Sequence, residues 1–244
     1  DRAVALIGGT SSCHMAVSSQ PRFIPGVWGP YYGAMLPGMW LNEGGQSATG
    51  SLIDHVIENN ASYRDLIKAA QADKTDIFTY LNRTLDKLIR DKGMKIFDTH
   101  HVLPDYHGNR SPRADASARG MMSGLTLNVS PEEVAVWYGA TIQAIAYGTR
   151  HILEEMNAQG YSIEKIYLCG GHLKNDRFIQ DHADITGCQV LIPEETEAVL
   201  LGSAILAAVA SGTYDNVFDA MKAMCRTGKV VDPDPSIELY HDMK

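Results

Sequence analysis

Ala3 to Ile7 is a short apolar run that stops at Gly8-Gly9, the pattern of a buried strand entering a tight turn, with Met15 to Ser18 as its returning partner. Residues 20–50 carry Gly, Pro, Tyr and Trp without a helical period and read as irregular strands and loops. A helix is predicted from about Ser47 to Asn59. A second runs from Ile77 to Arg90, where Ile77, Leu81, Leu85 and Leu88 share one face. Met94–Phe97 reads as a strand, and a long polar loop extends from His100 to Arg119. Ser130-Pro131-Glu132-Glu133 is a helix start: Ser130 is the N-cap, Pro131 fits the first helical position and Glu133 closes a capping box. That helix runs to Asn157 with Tyr138, Ile142, Ile145, Ile152 and Met156 facing inward, and Gly160 stops it. Lys165 to Leu168 is the next strand, then Gly170-Gly171, a helix near Asn175 to Ile185, a strand from Gln189 to Ile192 and a helix from Ala198 to Ala210. In that last helix the small residues Gly202, Ser203 and Ala204 permit close packing. Strands alternating with helices predict α/β layers around a central sheet. With no internal repeat or linker, the chain reads as one domain with an inserted helical and loop region around residues 40–120.

Composition adjusts this picture little. The 244 residues are 45% hydrophobic, enough for a sizeable core. A net charge of -8, spread along the chain, argues against a nucleic-acid surface or a polybasic membrane patch. Cys13, Cys169, Cys188 and Cys225 form no C-x-x-C pair, and free thiols fit a reducing, cytoplasmic setting. No apolar run is long enough to span a bilayer, and the opening residues lack a signal-peptide pattern. The sequence opens at Asp1, without Met, directly into a strand, as expected of a fragment whose upstream part is missing.

Four segments carry candidate chemistry. In Gly8-Gly9-Thr10-Ser11-Ser12, a strand ending in glycines brings backbone N–H groups and hydroxyls close to phosphate oxygens; the same pattern also serves ordinary hairpins. Leu168-Cys169-Gly170-Gly171-His172-Leu173-Lys174-Asn175 lets a flat base lie against backbone with Asn175 in hydrogen-bonding reach, and it equally suits any strand-to-helix turn. Asp105-Tyr106-His107-Gly108-Asn109-Arg110-Ser111-Pro112, followed by Arg119-Gly120 and Ser123-Gly124-Leu125-Thr126, is dense in polar side chains and reads as a fixed turn or a solvated loop. Its neighbours Asp98, Asp105, His100, His101 and His107 match no metal-ligand spacing. In Trp40-Leu41-Asn42-Glu43-Gly44-Gly45-Gln46-Ser47, Glu43 is suited to accept hydrogen bonds from sugar hydroxyls. Trp28, Tyr31, Tyr32 and Trp40 are suited either to a sugar's apolar face or to the core.

Taken in this order, the segments resemble the C-terminal domain of the FGGY carbohydrate kinases, closest to the ribulokinase branch, over nearly all of residues 1–244. Gly9-Thr10-Ser11-Ser12-Cys13-His14-Met15 is similar to that branch's second phosphate loop, and Glu43-Gly44-Gly45-Gln46-Ser47-Ala48 to its Gly-Gln-Ser segment. Arg119-Gly120 through Gly124-Leu125-Thr126 is similar to the family's Arg-Gly…Gly-Leu-Thr segment. Gly170-Gly171…Asn175, with Glu197-Ala198…Gly202-Ser203-Ala204, is similar to its adenosine segment and closing helix. The resemblance implies an actin-like, ribonuclease-H-like fold and phosphoryl transfer from ATP, with Mg2+, to a ketopentose such as ribulose or a related polyol. It implies phosphate contacts at Gly9, Thr10 and Ser11, nucleoside contacts at Gly124, Gly170, Gly171 and Asn175, and sugar contacts at Glu43 and Gln46. The family's catalytic Asp lies upstream of the second phosphate loop, and no such motif precedes Thr10 here. The base is therefore expected on a separate N-terminal domain, with the isolated chain inactive, and the implied partners are that domain and the sugar, with a homodimer compatible. His172 stands where the family often has Gly or Ala beside the adenine. The competing reading is an actin-like nucleotide-binding module that acts as a switch or scaffold without sugar kinase activity.

Overall fold

The computed structural model describes residues 1–243. Its centre is a seven-stranded sheet in the order β3-β4-β2-β1-β7-β8-β9, formed by β1 (Ala3–Gly8), β2 (Ser12–Ser18), β3 (Trp28–Tyr32), β4 (Trp40–Gln46), β7 (Lys165–Gly170), β8 (Gln189–Pro193) and β9 (Thr227–Val231). β1 pairs antiparallel with β2 and parallel with β7, and β7 runs parallel to β8. A small antiparallel pair, β5 (His101–Leu103) and β6 (Met121–Ser123), stands apart and brackets the long polar loop.

One face of the sheet is covered by α4 (Pro131–Ala158) and α5 (Asp176–Thr186). Their apolar residues merge with Val4, Leu6, Ile166, Leu168 and Val190 into one core. Every residue from Val134 to Ala146 is buried, so this stretch of α4 is enclosed on all sides rather than amphipathic. Ser130 Oγ accepts from the Glu133 N–H at 3.2 Å, as the N-cap predicts. The capping box does not close: the Glu133 carboxylate instead meets His100 Nε2 at 3.1 Å, and the Ser130 N–H goes to Asn128.

Between β4 and α4 lie α1 (Gly50–Glu58), α2 (Tyr63–Ala72) and α3 (Ile77–Lys92). β4 belongs to the main sheet, so the insertion begins after Gln46. Its glycines hide the strand pattern, yet each is needed: a Cβ at Gly44 would sit 2.7 Å from Ile152, and one at Gly45 would sit 2.9 Å from the Ser12 carbonyl oxygen. Met94–Phe97 is a 3-10 turn, not the expected strand. It follows α3 directly after Gly93 (φ +74) and drives Phe97 into the core against Gly139, a packing role that four residues of pattern do not reveal.

After β8 the chain forms α6 (Ala198–Ala210), α7 (Val217–Met224) and, past β9, α8 (Glu238–Met243). α6 packs against α7 and buries only Ile205, while Val199, Leu200 and Leu206 stay exposed. No described helix is long and apolar enough to cross a membrane.

Candidate functional site

The β1–β2 hairpin turn is held by the start of α1. The carbonyl of Gly9 accepts from the Gly50 N–H (2.9 Å) and Thr49 Oγ1 (3.1 Å), and that of Thr10 accepts from the Thr49 N–H (3.0 Å) and Ser51 Oγ (3.0 Å). Fully buried Thr49 is the hub, because it also receives the Ser12 hydroxyl at 2.9 Å. With its carbonyls turned inward to α1, the turn leaves Thr10 exposed and Gly9 and Ser11 half-exposed. The Ser47-Ala48-Thr49-Gly50-Ser51 stretch is the one local signal for this clamp, and the sequence reading did not use it.

The turn adjoins the Gly170-Gly171 segment. Gly170 (φ +93) lies so close to β1 that a Cβ would meet the Gly8 carbonyl oxygen at 2.3 Å, whereas a Cβ at Gly171 would find it no nearer than 4.0 Å. His172 turns beneath the turn, not outward. A Cβ on Gly8 would be 2.4 Å from its ring, and the imidazole stacks on Phe178 at 4.0 Å, which stacks in turn on His182. Burial pushes the His172 pKa down to about 4, so the ring is neutral. His172 is thus a wedge under the β1–β2 turn.

Asn175 caps α5, its Oδ1 accepting from the Phe178 N–H at 3.3 Å and from Asn82 at 3.2 Å, while its Nδ2 donates to the Tyr138 hydroxyl at 2.8 Å. It lines a cavity of about 330 Å³ together with Gly50, Phe78, Gly171, Lys174 and the carboxylates Asp54 and Asp76. Gly50 belongs both to this cavity and to the clamp on Gly9, so the turn and the cavity are contiguous. Gly124 does not line the cavity. It follows β6 at φ +99, tight against the Thr99 carbonyl, where a Cβ would lie 1.7 Å from oxygen.

β4 lies beside β2, with Gln46 opposite Ser12 and Glu43 opposite Met15. Residues three apart in a strand point to opposite faces, and the structure separates this pair accordingly. Gln46 is buried on the α4 side, donating to the Ile145 carbonyl (3.0 Å) and Thr149 Oγ1 (3.1 Å). There it joins a closed polar network in which His14 Nε2 and His182 Nε2 meet the same Thr149 hydroxyl at 3.0 and 3.3 Å. Burial pushes the pKa of both histidines down to about 3.

Glu43 lies on the outer face, its Oε1 accepting from Arg110 Nη2 at 2.8 Å. The Arg110 guanidinium also lies 4.3 Å from the Trp28 ring centroid, so Trp28 offers that face to an arginine rather than to a sugar. Tyr32 and Trp40 pack on each other at 4.9 Å. Arg110, in the middle of the polar loop, is a site neighbour that the sequence reading did not single out. Among the described residues no group of three or more His, Cys, Asp or Glu gathers to hold a metal ion.

Residues 4–211 match the model of the FGGY family of carbohydrate kinases, C-terminal domain. The chain belongs to the FGGY family of carbohydrate kinases. Over 242 residues it is 52% identical to the FGGY carbohydrate kinase domain-containing protein of Xenopus laevis, covering 99% of this chain and 44% of that protein. It is 38% identical over 217 residues to a D-ribulokinase of Saccharomyces cerevisiae, covering 87% of this chain and 30% of the relative. The chain thus spans less than half the length of these FGGY relatives. The crystal structure of xylulose kinase from Rhodospirillum rubrum superposes with a TM-score of 0.74 at 23% identity, over 99% of this chain and 44% of that one. The architecture is the actin-like ATPase fold of the sugar kinases, as the sequence resemblance implied.

Proposed function

We propose that the full-length protein carrying this chain transfers the γ-phosphoryl group of ATP to a hydroxyl of a ketopentose such as ribulose, or of a related polyol, and that residues 1–244 form the nucleotide-binding half of the cleft. The observation that carries this is the continuity of the α1-clamped Gly9-Thr10-Ser11 turn with the cavity of Gly50, Gly171 and Asn175. One strand further, Glu43 lies on β4, which pairs with the β2 arm of that turn.

In this reading the backbone N–H groups and hydroxyls of Gly9, Thr10 and Ser11 hold the β- and γ-phosphates. The cavity takes the nucleoside: Gly171 admits the base, part-exposed Phe78 offers a ring to stack on, and Asp54 and Asp76 are suited to ribose hydroxyls. Asn175 shapes the pocket by capping α5 and tying it to Tyr138 and Asn82. Gly170 keeps the pocket against β1, and Gly124 shapes the β5–β6 edge. Glu43 accepts from sugar hydroxyls, and Gln46 fixes β4 to α4 at the register that presents Glu43. Mg2+ bound with the phosphates would neutralise their charge; the Gly8–Ser12 turn offers hydroxyls and backbone groups, and no carboxylate, toward holding it. The general base comes from the other half of the protein.

The switch or scaffold reading needs no sugar-facing group, and the half-buried Glu43–Arg110 pair beside the turn favours the kinase. The test is ATP-dependent phosphorylation by full-length protein of ribulose, xylulose and ribitol, read as sugar phosphate by mass spectrometry. Nucleotide binding or hydrolysis with no phosphorylated sugar across the panel would establish the switch reading instead.

A further inference from the structure

The polar loop between β5 and β6 is docked at a defined place on the sheet. Ser111 Oγ donates to the Gly26 carbonyl at 2.9 Å, and Gly26 (φ +71) packs so tightly on Pro112 that a Cβ would sit 1.6 Å from its carbonyl oxygen. Asn109 adds a bond to Asp105 at 2.9 Å and receives the Arg113 N–H at 3.1 Å. These contacts anchor the loop on either side of Arg110.

Arg110 is nevertheless enclosed, with its side chain 21% exposed and that of Glu43 22%. Gly45 makes the room: a Cβ there would lie 3.0 Å from the guanidinium. Of the donors, Nη2 binds Glu43 Oε1, Nη1 has only the weak acceptor Cys13 Sγ at 3.7 Å, and buried Nε has no hydrogen-bond partner among the described residues. A largely buried ion pair with unused donors is a poor stabilising device, because its desolvation is repaid only in part. It is a good recognition device. A guanidinium offers donors in a fixed plane, and a carboxylate carries about four lone-pair sites, more than Arg110 and the neighbouring Cys13 thiol engage at Glu43.

We infer that Arg110 is a binding and positioning residue for the sugar. It fixes Glu43 through Oε1, leaving carboxylate lone pairs to accept a substrate hydroxyl, and donates through Nη1 to a neighbouring oxygen of the same substrate. The ligand class this pair fits is an open-chain sugar with a hydroxyl beside a carbonyl or second hydroxyl oxygen. The inference rests on the reading of Glu43 as a sugar ligand, and the test separates the two.

In full-length enzyme, R110M is expected to raise the KM for the ketopentose about ten- to a hundredfold, the scale of a lost charge-assisted hydrogen bond. The KM for ATP stays near wild type, while the melting temperature falls, because Glu43 is left without its partner in an enclosed place. R110K, which keeps the charge but not the planar fork, recovers part of the loss and also serves if R110M does not fold. Guanidinium ion at millimolar concentration restores sugar affinity to R110A. If Glu43→Gln raises the sugar KM while Arg110 variants leave it unchanged, or raise sugar and ATP KM alike without guanidinium rescue, the role of Arg110 is overturned and the sugar site stands. If Glu43→Gln has no effect, the sugar site itself lies elsewhere and both readings fall.

Discussion

Acid should destabilise this domain above the pH at which ordinary carboxylates titrate, because three neutral histidines are built into its interior. His14 and His182 share the Thr149 hydroxyl beneath the sheet, and His172 wedges under the β1–β2 turn. Burial depresses their pKa values to about 3, 3 and 4, from 6.5. A folded-state pKa below the unfolded one means that the unfolded chain binds the proton more tightly. The stability is therefore complete above about pH 7 and is lost as pH falls through 6.5 toward the folded values. Taking the domain from pH 7.5 to 5.0 costs about 2 kcal/mol per histidine, roughly 6 kcal/mol in all. Asp181 works the other way: burial raises its carboxyl to about 6 against the pull of Arg177, and that returns on the order of 1 kcal/mol over the same interval. The net loss, about 4–5 kcal/mol, is a large part of a typical domain's stability of ~5–15 kcal/mol. Urea unfolding followed by circular dichroism should show the midpoint falling by about 1.5 M between pH 7.5 and 5.0, for an m-value near 3 kcal/mol/M. Replacing His14 by Gln should flatten the pH dependence by about 1.4 kcal/mol per pH unit near pH 5. A midpoint that stays level across this interval would refute the argument, since it would mean that these imidazoles are hydrated or already charged in the folded protein.

Thr10→Val in full-length protein is expected to lower kcat at least tenfold without shifting the melting temperature, since the exposed side chain is not used to hold the turn; unchanged turnover would remove Thr10 from the phosphate site. Two adjacent glycines should respond differently. Gly171→Val leaves the fold intact and weakens nucleotide binding much more than sugar binding, measured by calorimetric titration, because a Cβ there makes only an ordinary contact, 4.0 Å from the Gly8 carbonyl oxygen. Gly170→Ala destabilises the domain itself, through positive φ and collision with Gly8, and lowers the melting temperature. Glu43→Gln should raise the Michaelis constant for sugar and leave that for ATP nearly unchanged. Purified residues 1–244 should phosphorylate no sugar at a measurable rate, since general-base help alone is worth about 10²–10⁴; turnover near the ~1–100 per second of ordinary kinases would place the base inside this chain.

Much of this protein is written locally. The apolar run to Gly8-Gly9, the Ser130-Pro131 start of α4, the start of α5 near Asn175 and the turn at Gly170-Gly171 are each decided within a few residues by backbone sterics and capping. They were legible because the interactions that decide them are themselves local. The rest depended on partners far away in the chain. Met94–Phe97 became a 3-10 turn because Phe97 had a core site under α3 and α4 to fill. Gln46 turned inward because β4 is a strand, so that residues 43 and 46 could not share a face, and the glycines within it masked the period that would have shown this. His172, beside a presumed adenine site, was claimed by Phe178 and the space under Gly8. Arg110 meets Glu43 across 67 residues of sequence, through a loop whose path is set by Gly26 and Ser111. Sequence alone supplied the turn, the glycines and the carboxylate that suit a kinase cleft. Only tertiary packing decided which of those groups share a face of the sheet, because side-chain direction follows from strand pairing and core filling rather than from residue type.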